Sequence, residues 1–316
     1  MKLLSLVIPV FNEEESLPEF YQRLTEIRNK LKPLEINAIF VNDGSRDDSL
    51  KRLKEIAERD SSVSVVSLSR NFGSHAAIRA GLNYVKTDAA VILSADLQDP
   101  LEIIEKLVSA WEKGSDVVWA AREVRKGPFF PELAARIFYL LMKTFAIHNY
   151  PEKGVDFCLI DKKVCRFISS SKEKNTNVFG LILWSGFKQS FIIYHRGKRK
   201  KGVSKWTFGK KLKLLIDSFV SFSSFPLRLA TYLGFIFSGI SLFYIMSLLV
   251  NDFKGAPVSG WTSLAVLISS CFALQFFMLG IFGEYLWRTF DETRKRPLYL
   301  IDETIDKASR CEMKAS

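Results

Sequence analysis

Two long stretches without a charge fix most of what this chain can be. Leu229 to Asn251 covers 23 positions, and Gly255 to Gly283 covers 29, with no Asp, Glu, Lys or Arg in either. Each exceeds the ~20 residues that cross a hydrocarbon core. A soluble helix of that length would need protein on every side. Membrane spans are therefore expected at 229–251 and 261–283, joined as a hairpin by a short loop. Arg228 precedes the first span, and Arg288, Arg294, Lys295 and Arg296 follow the second, while the loop carries only Asp252 and Lys254. This bias places both ends of the hairpin, with the tail 284–316, in the cytoplasm. Trp261 and Trp287 suit the two interfaces. Glu284 reads as an interfacial residue, and Cys271, Gln275 and the glycines as helix-packing residues.

The preceding 225 residues alternate strand and helix. Apolar runs SLVIPV (5–10), INAIFV (36–41), VSVVSLS (63–69), AAVILS (89–94) and DVVWAA (116–121) read as strands. Helical spacing fills 14–31, 47–58, 73–84 and 101–113. Nearly continuous apolar strands alternating with helices imply a parallel sheet covered on both faces. Ligands then bind beyond the carboxyl ends of the strands, where polar residues collect: Asn12-Glu13, Asn42-Asp43-Gly44-Ser45, Arg70-Asn71, Asp96 and Gln98, and Arg122. Five such ends facing one rim make a binding edge.

In ILSADLQDP (92–100), Asp99-Pro100-Leu101-Glu102 has the form of a helix start, with Asp99 as N-cap. Ser45 has the same reading before its own helix. Asp96 precedes any cap, at a strand end where a carboxylate is costly to bury unless paired or coordinated. With the neutral oxygen of Gln98 it suits Mg²⁺ or Mn²⁺ bridging a diphosphate. No GxGxxG follows the first strand and no GxxxxGK[ST] occurs, which disfavours dinucleotide and P-loop readings. The four cysteines, Cys158, Cys165, Cys271 and Cys311, show no CxxC or metal-site spacing and read as reduced thiols. The first apolar stretch, 3–11, runs straight into Asn12-Glu13-Glu14-Glu15, which is not the form of a signal peptide.

The motifs VIPVFNEEESL (7–17), VNDGSRDDS (41–49), LSRNFGSHAAIRAG (68–81), SADLQDP (94–100), GVDFCLIDKKV (154–164), GLILWSGFKQ (180–189), GVSKW (202–206), SFSSFPLRLATYLG (221–234) and LGIFGEYLWRTFDETRKRPLY (279–299) span almost the whole chain. They resemble the family-2 glycosyltransferases of the GT-A fold. The closer likeness is to the polyprenyl-phosphate (bactoprenol) glycosyltransferases and dolichyl-phosphate mannose synthase. The resemblance implies a GT-A domain at 1–225, with a Rossmann-like, mostly parallel sheet, followed by the hairpin; within that domain the apolar stretches with basic residues near 129–147 and 210–225 read as interfacial helices, with ordinary packing helices as the alternative. It implies Pro9, Phe11, Glu13 and Asp43 as the pocket for base and ribose, with Arg122 meeting phosphate. Asp96 with Gln98 would hold the metal. Asp156 would be a base or acceptor-orienting residue, and Lys205 a phosphate contact. A homo-oligomer, a tetramer, is implied too.

The chain departs from the family at three places. Ser94-Ala95-Asp96 stands where Asp-x-Asp is common, Ser74 where a Lys is common, and Phe179 where an Arg often precedes Gly-Leu. A weakened enzyme serving as a membrane-anchored scaffold is the alternative these changes raise. As an enzyme, the chain is expected to move a sugar, from UDP-glucose or another UDP-hexose, to a polyprenyl phosphate with inversion. The product would be a lipid-linked sugar for cell-envelope glycan or O-antigen modification. The net charge of +11 suits nucleic acid, a membrane surface or an anionic substrate and does not choose among them. The run His195-Arg196-Gly197-Lys198-Arg199-Lys200-Lys201 suits anionic headgroups and the acceptor phosphate alike. No nucleic-acid recognition motif is present. Neither the Gln-x-x-Arg-Trp motif nor the additional spans of processive polysaccharide synthases occur.

Overall fold

The computed structural model describes residues 2–122, 155–173, 177–194, 220–253 and 260–306, with short pieces at 139–140, 142–145, 147, 151 and 217. Lys205, the basic run 195–201 and most of the two expected interfacial helices lie outside the described residues. The chain divides into two units, Met1–Ser218 with Pro297–Ser316, and Phe219–Arg296.

The first unit is built on an eight-stranded mixed sheet. β1 (Leu3–Val10), β2 (Glu35–Asn42), β3 (Val63–Leu68) and β4 (Ala89–Ile92) are mutually parallel. α1 (Leu17–Lys30), α2 (Ser49–Arg59) and α3 (Ser74–Leu82) cross between them. α4 (Ile103–Glu112) leads to β5 (Val117–Arg122). These elements follow the apolar runs of the sequence.

The sheet differs from an all-parallel one in two places. β6 (Val155–Asp161) inserts between β4 and β5, antiparallel to both. β8 (Ile301–Ile305) adds antiparallel to β3 at one edge. β7 (Gln189–Tyr194), parallel to β5, is the other edge. α5 (Lys162–Ser170) and α6 (Val178–Trp184) precede it. Asn177 caps α6, accepting from the Phe179 and Gly180 N–H groups.

Residues alternate between the two faces because the strand period is two. Leu4, Leu6 and Ile8 join Phe20 and Leu24 of α1 in the main core, where Phe20 meets Phe40 edge-to-face at 6.0 Å. Each fully buried aliphatic side chain contributes about 1.5–3 kcal/mol. On the other face α3 lies so close that a Cβ on Gly81 would fall 2.5 Å from Val7 Cγ1. Only a glycine admits that approach. The buried Arg79 of α3 donates to the Ser171 and Glu173 carbonyls after α5. Trp119, fully buried, donates its indole N–H to Gln189 Oε1 at 2.8 Å.

The second unit holds α7 (Phe225–Phe253) and α8 (Trp261–Thr293). Each contains a segment long and apolar enough to cross a membrane, Phe225–Leu248 with mean hydropathy 1.7 and Leu264–Thr293 with 2.2. Their large side chains, such as Phe243 and Phe276, are exposed, as an apolar solvent would require. At 1.5 Å per residue α8 is about 50 Å long, well beyond a hydrocarbon core. Beyond the uncharged stretch, Arg288 ties Glu284 (3.0 Å) to Ser221 Oγ (3.0 Å), and Tyr285 Oη donates to the Ser223 carbonyl (2.7 Å). Glu284 is thus one half of an ion pair.

Candidate active site

The carboxyl ends of β1 to β4 share one edge, and the loops leaving them are laced together. The Asn12, Glu13 and Glu14 N–H groups donate to Ser45 Oγ (3.0 Å), Ser49 Oγ (2.8 Å) and Asp47 Oδ2 (3.2 Å). In return, the Arg46 and Asp48 N–H groups donate to Asn12 Oδ1 (2.8 Å) and Glu14 Oε2 (2.8 Å). Burial alone would raise the Asp47 carboxyl, but the bonds from Ser49 and from backbone N–H groups hold it below its usual range. Ser45, read from the sequence as a cap, is instead part of this lacing. α2 begins four residues later, at Ser49.

Asp43 is buried where β2 ends. Its Oδ1 accepts from the Phe72 N–H (2.7 Å) and its Oδ2 from the Gly73 N–H (3.0 Å). Burial pushes its pKa up to about 6, against the pull of those two N–H groups and of Arg70. Next to it, Gly44 holds φ at +63°, and a Cβ there would sit 2.3 Å from the Arg70 carbonyl carbon. Pro9, level with Val41 in the sheet, Phe11 and Glu13 are half-buried beside these loops. Glu13 Oε2 accepts from Ser16 Oγ at 2.9 Å.

After β4 the chain alternates again. Ala95, Leu97 and Asp99 are buried, while Ser94, Asp96 and Gln98 are half-buried. Three oxygen-bearing side chains therefore share the outward positions. Asp96 Oδ1 accepts from the Gln98 N–H (3.1 Å), and Leu97 turns the chain at φ +57°. Asp99 does not sit at the helix start expected of it. α4 begins at Ile103 with Glu102 as its N-cap, and Asp99 Oδ1 accepts from Tyr194 Oη at 2.6 Å.

The antiparallel course of β6 brings a further residue to this edge. Its first residues lie level with the last of β5, Val155 opposite Ala121. The backbone of Asp156 therefore stands at the same rim as the end of β4, as does Arg122, level with Tyr194 at the end of β7. The backbone thus gathers Pro9, Phe11, Glu13, Asp43, Asp96, Gln98, Arg122 and Asp156 along one edge. Sequence reasoning missed Tyr194 and His75. Nδ1 of His75 is buried without a hydrogen-bond partner, and the ring meets Phe179 edge-to-face at 5.9 Å. Burial pushes the His75 pKa down to about 4. A tyrosine closing an apolar run, and a histidine two residues after a glycine at a helix start, were the available signals.

Residues 5–170 match the family described as Glycosyl transferase family 2. The chain belongs to that family. The glycosyltransferase is 40% identical, over 95% of its length and 93% of the other's, to a Bacillus subtilis (strain 168) protein called "uncharacterized glycosyltransferase YkcC". It is 36% identical, over 94% of its length and 98% of the other's, to the bactoprenol glucosyl transferase of Shigella phage SfX. Among solved structures, mannosyl-3-phosphoglycerate synthase from Rubrobacter xylanophilus is similar at TM-score 0.47 and 14% identity, over 68% of this chain and 71% of that one. The mixed sheet of this glycosyltransferase, with its acidic loop after β4, is the GT-A fold.

The donor set at that loop bears on a metal ion. Among the described residues no three His, Cys, Asp or Glu side chains cluster as a metal cage. One carboxylate, Asp96, with the neutral oxygens of Ser94 and Gln98, fits a hard divalent ion. Such ions keep several waters and are completed by substrate phosphates.

Proposed function

We propose that this glycosyltransferase moves a hexosyl unit from a UDP-sugar to a polyprenyl phosphate at the cytoplasmic face of a membrane. The observation that carries the reading is the placement of the Asp96 and Asp156 backbones at one sheet edge, in a chain with two membrane-length apolar helices. The near full-length likeness to a bactoprenol glucosyl transferase supports the acceptor. Glucose is the first sugar to test.

Pro9, Phe11, Glu13 and Asp43 hold the base and ribose, over loops fixed by the lacing between 12–14 and 45–49. Asp96 and Gln98 hold Mg²⁺ or Mn²⁺, which when bound neutralises the diphosphate and its developing charge. Arg122 meets phosphate from β5. The acceptor phosphate is already anionic, so the chief task is electrostatic: two anions must be brought together. Lys205 holds the acceptor phosphate, and Asp156 orients it toward the anomeric carbon. A phosphate oxygen bonds to that carbon on the face opposite the departing diphosphate, which leaves with the electron pair. One displacement inverts the configuration, so a UDP-α-sugar gives a β-linked polyprenyl phosphosugar. The basic run 195–201 attracts anionic lipid at about 1 kcal/mol per charge near the surface.

Incubation of membranes containing the chain with labelled nucleotide sugars and undecaprenyl phosphate tests the reading. A labelled, organic-extractable product dependent on Mg²⁺ or Mn²⁺ and on Asp96 is expected. Absence of that product with every sugar in the panel, from chain that binds UDP, would defeat the acceptor assignment.

A further inference from the structure

We propose that the C-terminal strand β8 is a positioning element of the nucleotide pocket, so that docking of 299–305 and filling of the Asp43 site favour one another. The inference rests on the nucleotide reading above and adds a dependence on residues that follow both apolar helices in the chain. Two consecutive residues hold the two ends of one segment. The Leu300 carbonyl accepts from the Ser69 N–H at 3.0 Å, and Tyr299 Oη accepts from Asn83 Nδ2. Between Ser69 and Asn83 lie the loop 70–73 and α3, and within that loop the Phe72 and Gly73 N–H groups clasp Asp43. The loop has no slack on its other side. The Arg70 backbone lies so close to Gly44, the neighbour of Asp43, that no Cβ fits between them. A third tie runs to α2. Glu303 pairs with Lys54 at 2.7 Å, and α2 opens at Ser49, the acceptor for the Glu13 N–H. The tail thus grips the elements that carry the clasp on Asp43 and the lacing of 12–14 to 45–49.

Core burial does not account for this strand. Of the apolar side chains in 300–305, Ile305 packs against the main core, while Leu300 and Ile301 are exposed. The register with β3 shifts at a bulge between Ser67 and Leu68. What holds the strand is chiefly polar: the backbone ladder, the Tyr299–Asn83 bond and an ion pair open to solvent. An exposed pair of that kind contributes little, and a strand with few buried apolar contacts opens locally more readily than the core does. A segment so held responds to what fills the neighbouring site. Asp43 keeps its place through N–H groups of a loop that the tail fixes at its root. Release of the strand frees that loop, and a nucleotide that needs Asp43 in place favours the docked strand. By linkage the two effects are equal in size.

The test uses the full chain in detergent, with UDP and Mn²⁺ as probe. Hydrogen exchange read by mass spectrometry follows 299–305, with α5 (162–170), which none of the contacts above reaches, as the reference. Saturating UDP with Mn²⁺ should slow exchange at 299–305 by about 5–150-fold, the usual range of coupling between sites, and by a clearly smaller factor at 162–170. Replacing 299–305 by a glycine–serine stretch of equal length should weaken UDP binding by the same factor, with the parent's stoichiometry, as read by calorimetry. Equal slowing in both segments, or none at 299–305, overturns the coupling and leaves β8 as a cover for the edge of β3. So does a replaced chain that binds UDP with the parent's affinity. If the replaced chain loses its UDP sites by misfolding, exchange in the parent decides alone. A parent that binds no UDP overturns the nucleotide reading itself, and this inference with it.

Discussion

Asp43 and Gly73, thirty positions apart, are joined by a 3.0 Å hydrogen bond from the Gly73 N–H to Asp43 Oδ2. The bond ties the end of β2 to the start of α3, and it places an acid of raised pKa two residues from a histidine of lowered pKa.

Those two groups set opposite pH dependences in one window. Asp43, with a folded pKa of about 6, binds its proton more readily folded than unfolded. Its contribution is full below its unfolded value and is lost as pH rises through about 6. His75, at about 4 when folded, stays neutral. Its contribution is full above its unfolded value and is lost as pH falls toward about 4. Thermal unfolding at pH 5 and pH 7.5 should show His75→Leu losing less stability than the parent on acidification. Asp43→Asn should lose more. Parallel shifts in all three proteins would contradict both assignments.

Gly44→Ala meets two obstacles, a positive φ and a Cβ inside the Arg70 backbone. A loss of at least about 2 kcal/mol is expected from strain and overlap together. The unfolding midpoint should drop clearly, whereas Gly186→Ala, at a similar φ of +73° but with nothing within 4 Å of its new Cβ, should cost less. Equal costs at both sites would mean that the approach of Arg70 is unimportant.

Asp96→Asn and Asp156→Asn keep shape and remove charge. Asp96→Asn should lose Mn²⁺-dependent UDP binding and transfer together. Asp156→Asn should bind UDP and Mn²⁺ as the parent does while transfer falls by ~10²-fold or more, as expected for a group that orients or activates the acceptor. Calorimetry paired with the lipid-transfer assay decides. Parent-like metal–UDP binding by Asp96→Asn would return the site to Ser94, Gln98 and their neighbours.

Lys205→Ala should lower turnover strongly, whereas Lys198→Ala or Lys200→Ala removes one of several diffuse charges and should mainly weaken vesicle binding. Turnover and flotation with anionic vesicles, measured on all three, separate the roles. Mild, equal effects would remove Lys205 from the reaction.

The loop between the two apolar helices should lie outside the cytoplasm. Ser259→Cys in a cysteine-free background should react with an impermeant thiol reagent in intact cells. Reaction only after lysis would invert the proposed topology.

Much of this was legible in the sequence, for stated reasons. β1 to β5 are buried, nearly continuous apolar runs, and those runs appear in the chain as written. The rim followed from polar residues at their ends, and Asp96 from its place before any helix start. β6 was not legible as a strand between β4 and β5, because its pairing is long-range and nothing local encodes an antiparallel insertion. That insertion is what carries Asp156 to the rim. β8, reading Ile-Asp-Glu-Thr-Ile, is an edge strand with little to bury and no apolar alternation. Asp99 was misread because Asp-Pro-x-Glu imitates a helix cap. Its partner, Tyr194, lies 95 positions away.

The last strand of the sheet has a consequence for how the protein is made. β8 lies in the same unit as residues 1–218, yet it is translated only after both apolar helices. At about 5–20 residues per second, a ribosome spends several seconds or more between β7 and β8. Throughout that interval β3 is an open edge, with backbone groups free to pair with another nascent chain. The catalytic unit closes only when α8 has been completed and 301–305 can dock, with Glu303 reaching Lys54 at 2.7 Å. A chain that stalls in its second apolar helix therefore leaves the ribosome with an unfinished sheet.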